Sequence, residues 1–64
     1  MHVKRGELER QIAEIARQRG LIPVYIEGGN HTKVRVGDEV TFIPRHHEIR
    51  EQLARDILKT LRGE

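Results

Sequence analysis

Residues 31–44 read HTKVRVGDEVTFIP and form the stretch that decides the fold. Two runs rich in β-branched residues flank a Gly-Asp pair, a pattern typical of antiparallel strands joined by a tight turn. In the first run, basic or polar side chains alternate with a threonine and two valines. Because successive side chains of a strand point to opposite faces, the hairpin should have one cationic face and one apolar face.

Two loop lengths are compatible with this hairpin, and the apolar pattern favours the longer one. A two-residue loop, residues 37–38, would set Val34 opposite Thr41 and mix polar with apolar side chains on each face. A three-residue loop, residues 37–39, would set Val34 opposite Phe42 and make one face apolar throughout. Since burial of one face normally fixes the register, we predict the three-residue loop. On that register the other face carries His31, Lys33, Arg35, Thr41, Ile43 and Arg45.

The flanking segments predict one more strand and two helices. Residues 21–27 are rich in β-branched and aromatic side chains, and Pro23 indicates an edge strand because proline cannot donate a ladder hydrogen bond. Apolar side chains recur at helical spacing in residues 6–19, which Gly20 should cap, and in residues 50–61. The sequence therefore predicts an α+β fold of order α-β-β-β-α, with both helices on one face of a three-stranded antiparallel sheet.

The chain has 64 residues and no cysteine, which limits what it can be. We expect a single domain, residues 1–64, that buries about 60% of its unfolded-chain surface and has no room for a cofactor domain. Disulfides and thiolate metal sites are excluded. No apolar run approaches the roughly 20 residues of a membrane helix, and the charged N-terminus lacks the apolar region of a signal peptide. These features predict a soluble cytoplasmic protein.

The net charge of the chain is compatible with nucleic-acid binding but is too small to demonstrate it. The net charge is +2 and the pI is near 9.5, a modest basic excess. The aromatic residues are one tyrosine and one phenylalanine, which argues against recognition of single strands by base stacking. Lys33, Arg35 and Arg45 share a face in the predicted register. That grouping suits phosphate contacts as well as it suits a solvated surface.

His31 is the candidate for catalysis. It follows Gly28 and Gly29, where a backbone can approach closely, and it shares the cationic face. A histidine can deprotonate a ribose 2′-OH or protonate a leaving 5′-oxygen, while neighbouring cations stabilise the charge of the transition state. The alternative is a solvated histidine at a strand end with no catalytic role. Pattern alone slightly favours that alternative.

His46, His47 and Glu48 suggest metal ligands at first sight. Adjacent residues on one element point in different directions, however, and the separated third and fourth ligands of a zinc site are missing. We therefore predict no metal site and no cofactor. Residues 46–48 are expected to be loop, in which the histidines either cap the second helix or line the same groove as His31.

Taken in order, the motifs resemble a known family. Gly20 ends a helix, Asn30 and His31 follow a strand, a basic hairpin comes next, and the segments IPRHHEI and LARDILKTL complete the pattern. From about Gly6 to Leu61 the sequence is similar to the HicA toxins, small mRNA interferases of bacterial and archaeal toxin–antitoxin pairs. Their pattern runs Gly-Ser-His, a hairpin, Val-Pro-x-His, Glu-Ile and a Leu-Arg-x-Ile-Leu helix.

The resemblance implies a double-stranded-RNA-binding-domain-like fold and cleavage of mRNA without the ribosome. It also implies that His31 is catalytic and that a cognate HicB-type antitoxin covers the active face. Asn30 stands where the family has serine. Thr32 stands where a second histidine often follows in the family. Because side chains alternate between the two faces of a strand, Thr32 should point toward the core. The residues expected to contact RNA are Gly28, Gly29, Asn30, Lys33, Arg35, Arg45 and His46.

Two other functions are compatible with the same residues. A non-catalytic RNA-binding module would use the same fold and would favour structured RNA, because stacking aromatics are scarce. A protein-interaction domain would present the basic face to an acidic partner. RNA cleavage distinguishes the nuclease from both, and salt-sensitive RNA affinity distinguishes the RNA-binding module from the interaction domain.

Overall fold

A computed structural model describes residues 1–64 as an α+β fold with two helices and five strands. Strands β2, β3 and β4 form an antiparallel sheet in that order, and β1 pairs with β5 in a separate antiparallel ribbon. The predicted α+β fold with a three-stranded antiparallel sheet is confirmed, with two short strands in addition. In chain order the elements are β1 (His2–Lys4), α1 (Arg5–Gln18), β2 (Val24–Glu27), β3 (His31–Val36), β4 (Glu39–Pro44), β5 (Glu48–Arg50) and α2 (Glu51–Arg62).

Both helices pack on the same face of the three-stranded sheet. Twelve buried apolar residues form one cluster. The helices supply eight of them at helical spacing, and the sheet contributes Val34, Val36 and Ile43. No helix covers the opposite face, which we call the outer face. Neither helix has the length and apolar character needed to cross a membrane.

The first helix ends as its sequence predicts. Gly20 adopts a φ of +69°, the left-handed conformation that glycine favours. Its N–H donates to the Arg17 carbonyl at 3.0 Å, and the Leu21 N–H donates to the Ala16 carbonyl at 2.8 Å. These two bonds form a Schellman motif. The predicted cap at Gly20 is confirmed, and α1 lies within one residue of its predicted bounds.

The segment before the second helix differs from the prediction. Residues 46–47 are irregular, but Glu48 begins β5, which pairs with β1. The two strands run directly into α1 and α2 and so join the starts of both helices. Strands of three residues carry too little alternation to be read from a sequence. Helix α2 begins and ends one residue later than predicted.

The predicted three-residue loop between β3 and β4 is wrong. Val36 pairs with Glu39, so the loop consists of Gly37 and Asp38 alone. Gly37 has a φ of +62°, whereas Asp38 has no positive φ. Positive φ at the first loop residue only is the arrangement of a type II′ turn, whose twist matches that of the flanking strands. The geometry of the turn therefore outweighed the apolar pattern.

The corrected register exchanges the faces of β4. Ile43 is fully buried under the helices, while Phe42 is 57% exposed on the outer face. Thr41 lies on the buried side with Ile43, and Arg45 contacts residues of the neighbouring turn, as described below. The predicted placement of Thr41 and Ile43 on the cationic face is therefore wrong. The outer face carries His31, Lys33 and Arg35 together with four exposed apolar residues: Val24, Ile26, Val40 and Phe42.

Candidate functional site

A shallow depression of about 350 Å³ lies where β2 turns into β3. It contains five of the eight predicted site residues, including His31 and Lys33. Arg35, Arg45 and His46 lie outside it. The depression is lined by Ile26, Glu27, Gly28, Gly29, Asn30, His31, Lys33 and Phe42.

The turn that carries His31 is closed by the backbone. The Gly28 N–H donates to the His31 carbonyl at 2.9 Å, and Gly29 and Asn30 form the tip. A Cβ atom at Gly28 would lie 3.0 Å from the His31 carbonyl oxygen, whereas one at Gly29 would meet nothing within 4 Å. The hydrogen bond that closes this turn therefore requires glycine at position 28, whereas position 29 has space for a side chain.

Alanine substitutions at the two glycines should separate these roles. Gly28→Ala forces the His31 carbonyl to move by a few tenths of an ångström and weakens the hydrogen bond that closes the turn. We expect it to lower the free energy of unfolding by about 1 kcal/mol. Gly29→Ala should be neutral or stabilise by up to about 1 kcal/mol, because it reduces the entropy of the unfolded chain. Urea denaturation measures both changes, and equal destabilisation by the two variants would contradict this account of the turn.

A chain of hydrogen bonds supports the turn from the helix side. Arg5 Nη2 donates to the Thr32 hydroxyl at 2.9 Å, and that hydroxyl donates to Glu27 Oε1 at 2.8 Å. Arg5 Nε also donates to Glu9 at 3.0 Å. Thr32 is fully buried, so its predicted orientation toward the core is confirmed. Its hydroxyl would be costly to bury without these partners.

Arg45 holds the same turn from the end of β4. Its Nη1 donates to the carbonyl oxygens of Gly28 and Gly29 at 2.9 and 3.1 Å. Its Nε lies 3.5 Å from Glu27 Oε1. A guanidinium engaged in this way orders the backbone next to His31. These contacts give Arg45 a positioning role at the turn, and its predicted contact with phosphate stays a prediction.

Lys33 and Arg35 are the free cations of the outer face. Six arginines of the chain pair with carboxylates, but neither Lys33 nor Arg35 forms an ion pair or a side-chain hydrogen bond. No aspartate or glutamate occupies an outward position of the three strands. The outward positions of the three strands therefore carry positive charge only, which suits an anion-binding surface.

His46 and His47 do not join the depression. They lie in the bend between β4 and β5, where the His47 carbonyl accepts a hydrogen bond from the Arg5 N–H at 2.8 Å. Arg50 is the N-cap residue of α2, so neither histidine caps that helix. His46 does not line the groove of His31 either, and both predicted alternatives are wrong. No group of three histidine, aspartate or glutamate side chains is close enough to hold a metal ion.

The depression offers one free proton-transfer group. His31 is exposed, and an imidazole can act as a general acid or base. The Glu27 carboxylate, which also lines the depression, accepts a hydrogen bond from the Thr32 hydroxyl and forms an ion pair with Arg45. Tyr25 lies on the helix side, where burial, and then the Glu9 carboxylate, raises the pKa of its phenol. That phenol therefore keeps its proton at neutral pH.

The site thus combines an exposed imidazole, an unpaired ammonium group and an exposed aromatic ring around one turn. These three groups can together perform general acid or base chemistry on an anionic substrate. Sequence reasoning missed Phe42 as a lining residue because it assigned that side chain to the core. It also missed Arg5 and Glu27, whose bonds to Thr32 depend on the tertiary fold. The chain matches no protein-family model, no curated protein and no solved structure.

Proposed function

We propose that the protein is an endoribonuclease toxin of the HicA type, which cleaves mRNA without a metal ion and thereby inhibits translation. The observation that carries the proposal is the setting of His31, an exposed histidine in a depression that also contains the unpaired Lys33. The order of motifs along the chain, which resembles that of the HicA toxins, supports the same activity. His31 acts as the general acid or base.

The proposed reaction needs only the groups of the outer face and water. The ribose 2′-oxygen loses its proton and bonds to the adjacent phosphorus, while the bond from phosphorus to the 5′-oxygen breaks and that oxygen gains a proton. His31 performs one of these proton transfers, and water supplies the other. Lys33 stabilises the negative charge that develops on the phosphoryl oxygens. The products carry a 2′,3′-cyclic phosphate and a 5′-hydroxyl group.

A toxin of this type has a cognate antitoxin, and we propose a HicB-type protein as the partner. The outer face combines two free cations with exposed apolar side chains, so a partner with acidic and apolar residues would complement it. Such a partner would cover His31 and block the reaction. The proposed site of action is the cytoplasm, where mRNA is translated, and the proposal requires neither a membrane nor a cofactor.

Incubation of the purified protein with single-stranded RNA in EDTA tests the proposal. We expect fragments that end in a 2′,3′-cyclic phosphate, which mass spectrometry identifies. Salt-sensitive binding without cleavage would overturn the nuclease and support the non-catalytic RNA-binding module. Absence of both cleavage and affinity at low salt would overturn both functions and leave the protein-interaction domain.

The two free cations should account for a defined part of the salt dependence of RNA binding. Each phosphate contact to a single strand contributes about 0.7 to the slope of log K against log salt concentration. Replacing Lys33 and Arg35 together by glutamine should therefore reduce the slope by about 1.4. The matched control replaces Arg50 and Lys59 by glutamine. These two cations also form no ion pair, so the control variant loses the same two positive charges as the test variant. Equal reductions in slope for both double variants would show that the outer face is not the binding surface.

A further inference from the structure

In the observed register, a row of three side chains crosses the outer face. The proposed reaction assigns a role to only one of them. Ile26, Lys33 and Phe42 stand opposite one another on β2, β3 and β4. Ile26 is 51% exposed and Phe42 is 57% exposed. Single exposed apolar residues are ordinary, but these two flank an unpaired cation. All three line the same depression as His31.

The next row of the sheet repeats the arrangement. Val24, Arg35 and Val40 stand opposite one another, and the two valines are 38% and 39% exposed. Apolar side chains therefore flank a cation in both rows, and no acidic side chain intervenes. A ligand that complements these rows carries negative charges and apolar surfaces. Single-stranded nucleic acid has both, since phosphates alternate with bases that stack on aromatic rings.

We infer that Phe42 is a stacking platform for a base of a single-stranded RNA substrate. The base next to the scissile phosphate stacks on the Phe42 ring with Ile26 alongside, Lys33 holds the phosphate, and His31 reaches the ribose. This inference rests on the proposed function and narrows its substrate to single strands, because paired bases are already stacked within the duplex. Every base has a π-face, so the platform positions the strand without selecting a sequence.

The surroundings of Phe42 favour RNA over a protein as the occupant. The ring shares its depression with an imidazole, an ammonium group and a glycine turn, and about 350 Å³ is open. That volume lies at the small end of ligand pockets, about 300–1,000 Å³, and suits a unit the size of a nucleoside. With one tyrosine and one phenylalanine, the chain has too few aromatic residues to stack several bases. One exposed ring is sufficient to stack one base.

The first test measures binding in the His31→Ala background, so that the RNA remains intact. The probe is a short single-stranded RNA with a fluorescent label, and anisotropy gives Kd. Adding Phe42→Leu keeps an apolar side chain but removes the π-face, and it should raise Kd roughly 5- to 150-fold. Adding Phe42→Tyr should leave Kd nearly unchanged. The control Leu53→Ala truncates an apolar side chain of α2 that is 38% exposed and should also leave Kd unchanged.

A second test reports stacking directly. The chain contains no tryptophan, so Phe42→Trp introduces a single indole whose emission a stacked base quenches. We expect quenching by single-stranded RNA and much weaker quenching by the same sequence as a duplex. Ile22→Trp places the indole at a residue that is 82% exposed and outside the depression. Its emission should not respond.

The outcomes separate this inference from the proposed function. If the protein binds single-stranded RNA through Phe42 but does not cleave it, the platform is correct and the nuclease is not. If the protein cleaves RNA and the Phe42→Leu variant binds RNA as tightly as its parent, the stacking platform is wrong but the proposed nuclease activity is not. The exposed apolar side chains then serve to bind a protein partner. Equal affinity for duplex and single strand also overturns the platform, and absence of any RNA affinity overturns both.

Discussion

Replacing Ile43 with alanine should lower the free energy of unfolding by about 2–5 kcal/mol. The side chain is fully buried between the sheet and the helices, and truncation removes apolar contacts while leaving a cavity that a small core cannot fully close. Domains of this size rarely gain more than about 3–5 kcal/mol from a single core. We therefore expect the variant to be largely unfolded in the absence of a stabilising partner, which circular dichroism and urea denaturation measure.

Phe42→Ala is the matched control for this prediction. It removes a larger side chain from the neighbouring position of the same strand, but the ring is more than half exposed. We expect it to cost less than about 1 kcal/mol, as for most surface substitutions. The register with a three-residue loop directs Phe42 inward and Ile43 outward. It would therefore make Phe42→Ala the more destabilising substitution and Ile43→Ala the milder one. A larger loss of stability for Phe42→Ala than for Ile43→Ala would contradict the observed register.

Long periodic segments made most of the fold predictable. Both helices carry apolar residues at helical spacing, and β3 was predicted with its observed bounds because alternation over six residues is a strong signal. The register of β4 was not predictable in this way. Val40 and Phe42 alternate with Thr41 and Ile43, so each register buries at least one apolar residue of β4. The pattern favoured the register with two buried apolar residues, and the structure adopts the other one. The conformation of Gly37 decides it, together with the packing of Ile43 under the helices.

The candidate site was predictable where it depends on one strand. His31, Lys33 and Arg35 share a face by alternation within β3, whatever the register of β4. The hydrogen bonds that Arg5 and Arg45 form around the turn were not predictable, because they join distant parts of the chain. Arg5 lies 27 residues from Thr32, and Arg45 lies 17 residues from Gly28. A sequence pattern identifies these arginines as charged but does not specify which polar groups they meet.

His31→Ala should lower the rate of RNA cleavage roughly 10²- to 10⁴-fold, the contribution of one positioned general acid or base. The side chain is exposed and forms no side-chain hydrogen bond, so the free energy of unfolding should change by no more than about 0.5 kcal/mol. The RNA affinity should stay close to that of the parent protein, since Lys33 and Arg35 remain. His2→Ala removes another exposed imidazole, outside the depression, and should leave the rate unchanged.

The most direct measurement compares the initial rates at which the purified parent protein and its His31→Ala variant cleave the same single-stranded RNA in EDTA. Both proteins are first shown to be folded by circular dichroism. We expect cleavage by the parent, with cyclic-phosphate ends, and loss of nearly all of this activity in the variant. Equal rates for the two proteins, or intact RNA after prolonged incubation with the parent, would contradict the assignment of His31 as the proton-transfer group of a ribonuclease.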